Sequence, residues 1–86
     1  MIFLYEIIFS IKAKKQLLKL ERNIQERIIS SLERIRIRPE TFITKLVGDK
    51  GYKLRVGDYR VIMDIDDNNL IILVIKVGHR KNIYNI

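Results

Sequence analysis

Lys53, Arg55 and Arg60 flank a Gly57-Asp58 pair in the run YKLRVGDYRVIMDI. Glycine followed by aspartate between alternating apolar residues signals a two-residue hairpin turn. Such a turn pairs Val56 with Tyr59 and sets Arg55 directly opposite Arg60, with Lys53 on the same face. Like charges facing each other across a ladder destabilise it by up to ~1 kcal/mol. A hairpin tuned for folding alone would carry Glu or Thr at one of those places. Three cations on one patch of sheet therefore point to a polyanionic partner. Beyond the last strand, Lys76, His79, Arg80 and Lys81 add charge, and Tyr84 follows. An aromatic ring among cations suits RNA, because a base stacks on the ring while a guanidinium holds phosphate. Two plainer alternatives stay open: the cations splay into solvent, and Tyr84 plugs the chain end.

Other chemistries fit less well. His79 is the only histidine, so an acid–base scheme using two histidines is excluded. A lone histidine can still act as general acid, touch phosphate or play a structural part. Asp64, Asp66 and Asp67 crowd the second turn, whereas a metal nuclease needs carboxylates converging from separate elements. No metal and no cofactor are expected. There is no glycine-rich phosphate loop and no nucleophile elbow, and Ser30 and Ser31 lie mid-helix without a nearby histidine. The absence of cysteine excludes disulfides and thiolate metal sites and fits a reducing cytosol.

The elements that must position these residues read as an α+β domain spanning 1–86. A net charge of +7 on 86 residues with 48% hydrophobic content describes one small globular unit with a bias toward acidic or nucleic-acid partners. MIFLYEIIFS lacks a basic leader region, carries Glu6 and falls short of the ~20 residues of a spanning helix. No membrane is expected as a partner, and the cytoplasm is the expected location. Ile2 to Phe9 is a strand, apolar on both faces and hence expected inside a sheet. Ser10 is placed to cap a helix whose buried stripe is Ala13, Leu17, Leu20 and Ile24. Asn23 with Glu26 predicts a second helix start, with Ile24, Ile28, Leu32 and Ile35 as its stripe and Pro39 as its stop. A helical hairpin is thus expected over residues ~10–37. A loop follows, in which Leu46 and Val47 tuck under the core. Then come the strands YKLRV, YRVIMDI and LIILVIKV, separated by Gly57-Asp58 and by DDNN. The order is β-α-α-β-β-β: an N-terminal strand, a helical hairpin and a three-stranded antiparallel meander, with the helices on one face of the sheet. Both faces of the last two strands are apolar: Val61, Met63, Ile65, Ile72 and Val74 on one, Ile62, Ile71, Leu73 and Ile75 on the other. One helical hairpin covers one face, so the second calls for a partner.

The run LVGDKGYKLRVGDYRVIMDI, followed by LIILVIKVGHRKNIY, resembles the RelE family of toxins from type II toxin–antitoxin pairs. The match in element order covers essentially the whole chain; the YKLRVGDYRVI block and the GHR…Y tail carry it. The resemblance implies a ribosome-dependent endoribonuclease that cuts mRNA without metal, the ribose 2′-hydroxyl attacking the adjacent phosphate. It implies that Lys53 assists activation of the 2′-hydroxyl, that Arg60 stabilises the pentavalent phosphate, and that Arg80 stands near the leaving 5′-oxygen. Arg55 falls where some members carry a second lysine; arginine does not accept protons, so its part would be charge alone. Tyr84 falls on a tyrosine that stacks on a base, although the spacing from Arg80 differs from some members. His79, which replaces other residues, and Lys81 would contact RNA, and His79 is an alternative proton donor to Arg80. A cytosolic RelB-like antitoxin, the ribosome and mRNA are the implied partners. Two rivals remain: a ParE-like toxin of the same fold that inhibits gyrase, and a non-catalytic RNA-binding module.

Overall fold

The computed structural model describes residues 4–48 and 50–83. In chain order the elements are β1 (Glu6–Phe9), α1 (Ile11–Leu18), α2 (Arg22–Ile35), a short 3-10 turn (Pro39–Thr41), β2 (Thr44–Lys45), β3 (Tyr52–Val56), β4 (Tyr59–Asp66) and β5 (Ile71–His79). The expected α+β order is present, with the helices on one face and β3–β4–β5 as an antiparallel meander. The sheet has five strands in the order β1-β5-β4-β3-β2. Two differences from the sequence reading matter. β1 pairs only with β5, in parallel, so it is an edge strand and not an internal one. The two-residue β2, read from sequence as loop, pairs with β3 at Thr44↔Lys53 and Lys45↔Tyr52.

Ser10 caps α1 as its residue type predicts: its Oγ accepts the Ala13 amide at 3.0 Å. The same residue stitches the helix to the sheet, its amide donating to Val74 O at 2.9 Å and its hydroxyl to Ile75 O at 3.1 Å. α2 starts at Arg22 with Glu21 as its N-cap, and no side chain closes that cap. The capping box expected at Asn23 does not form. Gln25 instead donates from Nε2 to Leu20 O at 2.8 Å and fastens the inter-helix turn.

The core lies between the helices and one sheet face. Ala13 and Leu17 of α1, and Ile28, Leu32 and Ile35 of α2, meet Leu54, Val56, Val61, Met63, Ile72, Val74 and Val77. The helical stripes are those the spacing predicted, and strand alternation supplies the other side. Leu46 is half-buried, but Val47 is fully exposed and not tucked under the core. Asp66 organises the β4–β5 turn by accepting the Asn68 and Asn69 amides, each at 3.1 Å, and the Asn69 side-chain amide at 2.8 Å. These hydrogen bonds, the side-chain one foremost, hold its carboxyl below the ordinary aspartate range. Tyr5 donates to Asp67 Oδ1 at 2.5 Å, and that bond, with burial, pushes the phenol up to about 12.

Alternation along β5 is broken once. Ile62 pairs with Lys76 but Met63 pairs with Val74, which leaves Ile75 as the extra residue of a bulge. Without it Lys76 would face the helices and Val77 would face away. The bulge reverses both: Val77 enters the core, and Lys76 joins the opposite face. α1 takes over beyond the end of β1, where Gln16 Oε1 accepts the Val77 amide at 2.8 Å.

Candidate active site

The Gly57-Asp58 turn forms as expected, with Val56↔Tyr59 and Arg55↔Arg60 in register. Gly57 has φ +59°, and Asp58 does not share the positive φ, as in a turn that favours glycine at its first central position. In such a hairpin the pair after the turn-closing one is the pair without mutual hydrogen bonds, where side chains approach most closely. Arg55 and Arg60 occupy that place.

Two adjoining rungs of the face turned away from the helices build the site. One runs Arg55–Arg60–Gly78, and the next runs Lys53–Ile62–Lys76. Gly78, opposite Arg60, brings no side chain to its rung. Lys76 belongs to this patch because of the bulge. From its sequence Lys76 is expected beyond the last strand, but β5 continues through His79. Ile62, only 7% exposed, forms an apolar floor between the two lysines.

The arginines diverge, which moderates their repulsion. Arg60 folds back, its Nη1 donating to Gly57 O and Tyr59 O, both at 2.9 Å. Arg55 is exposed and leans over the edge of β3 toward α2, where β2 no longer covers the strand. Arg80 is anchored at the hairpin tip, its amide donating to Asp58 O at 2.8 Å and its Nε lying 3.8 Å from Asp58 Oδ1. That ion pair is open to solvent and therefore weak. A phosphate displaces the neutral carbonyls held by Arg60, because an anion is the stronger acceptor, and the long, exposed Asp58 pair holds Arg80 only weakly.

Lys53, Arg55, Arg60 and Arg80 are thus gathered at one end of the sheet. His79 is not with them. It pairs with Tyr59, so alternation turns it to the helix side, where the two rings meet edge-to-face at 5.3 Å between centroids. Its Nδ1 accepts the Lys81 amide at 3.2 Å, which leaves Nε2 as the nitrogen free to donate. Lys81 is exposed on the tail. Tyr84 lies outside the described residues. The carboxylates of the β4–β5 turn lie at the other end of the sheet, Asp66 and Asp67 committed to the turn bonds and to Tyr5. Among the described residues no group of three His, Asp or Glu side chains is arranged to hold a metal ion, and no helix is long and apolar enough to cross a membrane.

The same face changes character toward β1. Ile8, Ile71 and Leu73 line an open cleft of about 760 Å³ rimmed by Asp64, Asp66 and Asp67. Ile8 is 40% exposed and Leu73 36%. The face left uncovered by the helices is therefore cationic at the hairpin end and apolar with an acidic rim at the β1 end.

Comparison with known proteins places this architecture. The chain is 32% identical over 87 aligned residues to a RelE-like toxin protein of Escherichia coli, covering 95% of this chain and 92% of that protein. Its fold is similar to that in the RelBE2 toxin–antitoxin complex of Mycobacterium tuberculosis, with a TM-score of 0.82, 25% identity and coverage of 90% and 92% of the two chains. It is also similar to the intact E. coli RelBE complex (TM-score 0.72, 29% identity, 87% and 95% covered). An E. coli RelE variant in the free state gives a TM-score of 0.73 at 28% identity, with 91% and 85% covered. The family model for the ParE toxin of type II toxin–antitoxin systems matches residues 7–84. On sequence and fold together, the chain belongs to the RelE/ParE family of type II toxins.

Proposed function

We propose that this toxin is a ribosome-dependent endoribonuclease acting on mRNA in the cytoplasm. The observation that carries the reading is the ladder register: it sets Lys53, Arg55, Arg60 and Lys76 on two adjoining rungs of an uncovered face, with Arg80 at the tip. In the proposed reaction the 2′-oxygen attacks the adjacent phosphorus, and Lys53 assists removal of its proton. Arg60 swings from its turn carbonyls onto the pentavalent phosphate, with Arg55 and Lys76 adding positive field. Arg80 offsets charge on the leaving 5′-oxygen as the P–O5′ bond breaks. The leaving 5′-oxygen takes a proton from solvent, to which Lys53 returns the one it removed, and the products are a 2′,3′-cyclic phosphate and a 5′-hydroxyl. Cations gathered around the developing charge supply the electrostatic part of catalysis. His79, turned toward Tyr59, serves to position Arg80 and Lys81 against RNA.

The patch is open and shallow and has little to align a flexible strand. Alignment in line with the scissile bond falls to the ribosome, which lowers the entropic barrier. Incubating equal concentrations of naked mRNA and ribosome-bound mRNA with the protein tests this: cleavage is expected only on the ribosome. Efficient cutting of free RNA contradicts it.

The match to the ParE model favours a second reading, a toxin of the same fold that inhibits gyrase and cuts nothing. Chemical analysis of RNA ends separates the two, because only the ribonuclease creates 5′-hydroxyl termini.

The solved relatives include complexes with RelB antitoxins. We propose a cognate antitoxin of the same kind here, covering the outer sheet face. The two ends of that face demand different chemistry. The part reaching Arg55 and Arg60 is acidic, and the part lying on Ile8 and Leu73 is apolar with cations facing Asp64 and Asp66.

A further inference from the structure

Between α2 and the β3–β4 turn lies a second basic site. A cleft of about 580 Å³ is lined by Arg27, Ser30, Ser31 and Arg34 of α2, with Arg55 and Gly57 across from them. The four α2 residues recur at helical spacing on a face distinct from the buried Ile28, Leu32 and Ile35. Glu26, the cleft's only acid among the described residues, is turned to Arg22 at 3.5 Å. Arg27, Arg34 and Arg55 make no ion pair or side-chain hydrogen bond with any described residue. Arg27 packs on the turn: a Cβ built on Gly57 would stand 2.9 Å from its Nη2. The guanidinium therefore lies against bare backbone with its other edges free.

We propose that this cleft holds the phosphodiester backbone of a single RNA strand as it runs on from the scissile phosphate. Arg55 is the link, since it belongs both to the cleft and to the rung it shares with Arg60. Guanidinium forks and serine hydroxyls match phosphate oxygens. A protein segment would find little to grip, because Val56 is the sole apolar residue lining the cleft and is itself buried. The identity of the strand rests on the ribonuclease reading; the anion site itself does not.

The test is the salt dependence of binding to a labelled, uncleavable 2′-O-methyl oligonucleotide, measured by fluorescence anisotropy on the full chain. Each phosphate contact to a single strand contributes about 0.7 to the slope of log affinity against log salt. The Arg27→Gln/Arg34→Gln variant should lower that slope by about 1.4, while Lys12→Gln/Lys15→Gln, equal in charge and placed on α1, leaves it unchanged. An unchanged slope in the arginine variant overturns the site, and so does an equal drop in the lysine variant. Loss of polyglutamate binding with oligonucleotide binding intact also overturns it, in favour of an acidic peptide. Should the parent protein prove unable to cut RNA while the slope still drops, the cleft stands and the ribonuclease reading falls. Cutting with an unchanged slope overturns the cleft and leaves the ribonuclease reading standing.

Discussion

Replacing Arg60 with alanine separates function from folding. Arg60 faces Arg55 across the ladder, so its removal relieves a repulsion of up to ~1 kcal/mol. Against this, two hydrogen bonds from Nη1 to Gly57 O and Tyr59 O are lost. Each such bond contributes about 0.5–1.5 kcal/mol net; the Gly57 carbonyl is exposed, so water replaces that donor, and only the part-buried Tyr59 carbonyl feels the loss in full. The opposing contributions nearly cancel, leaving a net change within about 1 kcal/mol, or ~4–8 °C in melting temperature for a domain of this size. Loss of one donor to a transition-state oxyanion costs about 10²–10³ in rate. Arg60→Ala should therefore melt close to the parent and yet lose that factor in single-turnover cleavage of ribosome-bound mRNA. Arg60→Lys, which keeps the charge without the fork, should fall in between. Circular dichroism melting and end-labelled RNA gels read both quantities. A variant that cuts at the parental rate, or one whose activity vanishes only because it unfolds, refutes the assignment.

Further outcomes follow from other contacts. Gly57→Ala places a side chain at φ +59° and against Arg27, which should destabilise the fold by about 1–2 kcal/mol, and Gly57→Asn by less; thermal melts compare them. Tyr5→Phe removes the bond to Asp67 and should cost about 1 kcal/mol in urea unfolding. Because the folded phenol is raised from 10.0 to about 12, that stability is present below pH 10 and is lost as pH rises from 10 to 12; the variant should lack this alkaline loss. Leu73→Asp should weaken the antitoxin complex by about 10–100-fold, mainly through faster dissociation, in surface-binding kinetics. Added salt should instead slow association, because steering is screened within about 10 Å at 0.1 M.

The hairpin was legible because turn chemistry dictates register: once Gly57-Asp58 is read as a turn, Arg55 must oppose Arg60. The helical stripes were legible because Ala13, Leu17, Ile28 and Leu32 recur at the helical period. The bulge at Ile75 was not, since LIILVIKV is apolar at nearly every position and alternation leaves no mark in it. The face that Lys76 takes is hidden for that reason. β1 reads as internal because Leu4 and Ile8 are apolar; both are exposed, and Ile8 lies on the uncovered face where a partner is proposed to bind. Asn23 failed as a cap because the helix already begins at Arg22, and Gln25 fastens the turn instead. His79 and Arg80 are neighbours in sequence, but strand alternation parts His79 from the cationic face. The cleft on α2 has a readable signal in the spacing of Arg27, Ser30, Ser31 and Arg34, but the apolar stripe of Ile28, Leu32 and Ile35 dominates the pattern of that helix and masks it.

Mapping RNA 5′ ends after inducing this chain alone in cells tests the ribonuclease reading most directly. Cuts should fall within translated codons, carry 5′-hydroxyl ends and disappear in Arg60→Ala. Growth arrest with intact mRNA and broken chromosomal DNA would contradict the account and identify a gyrase-directed toxin.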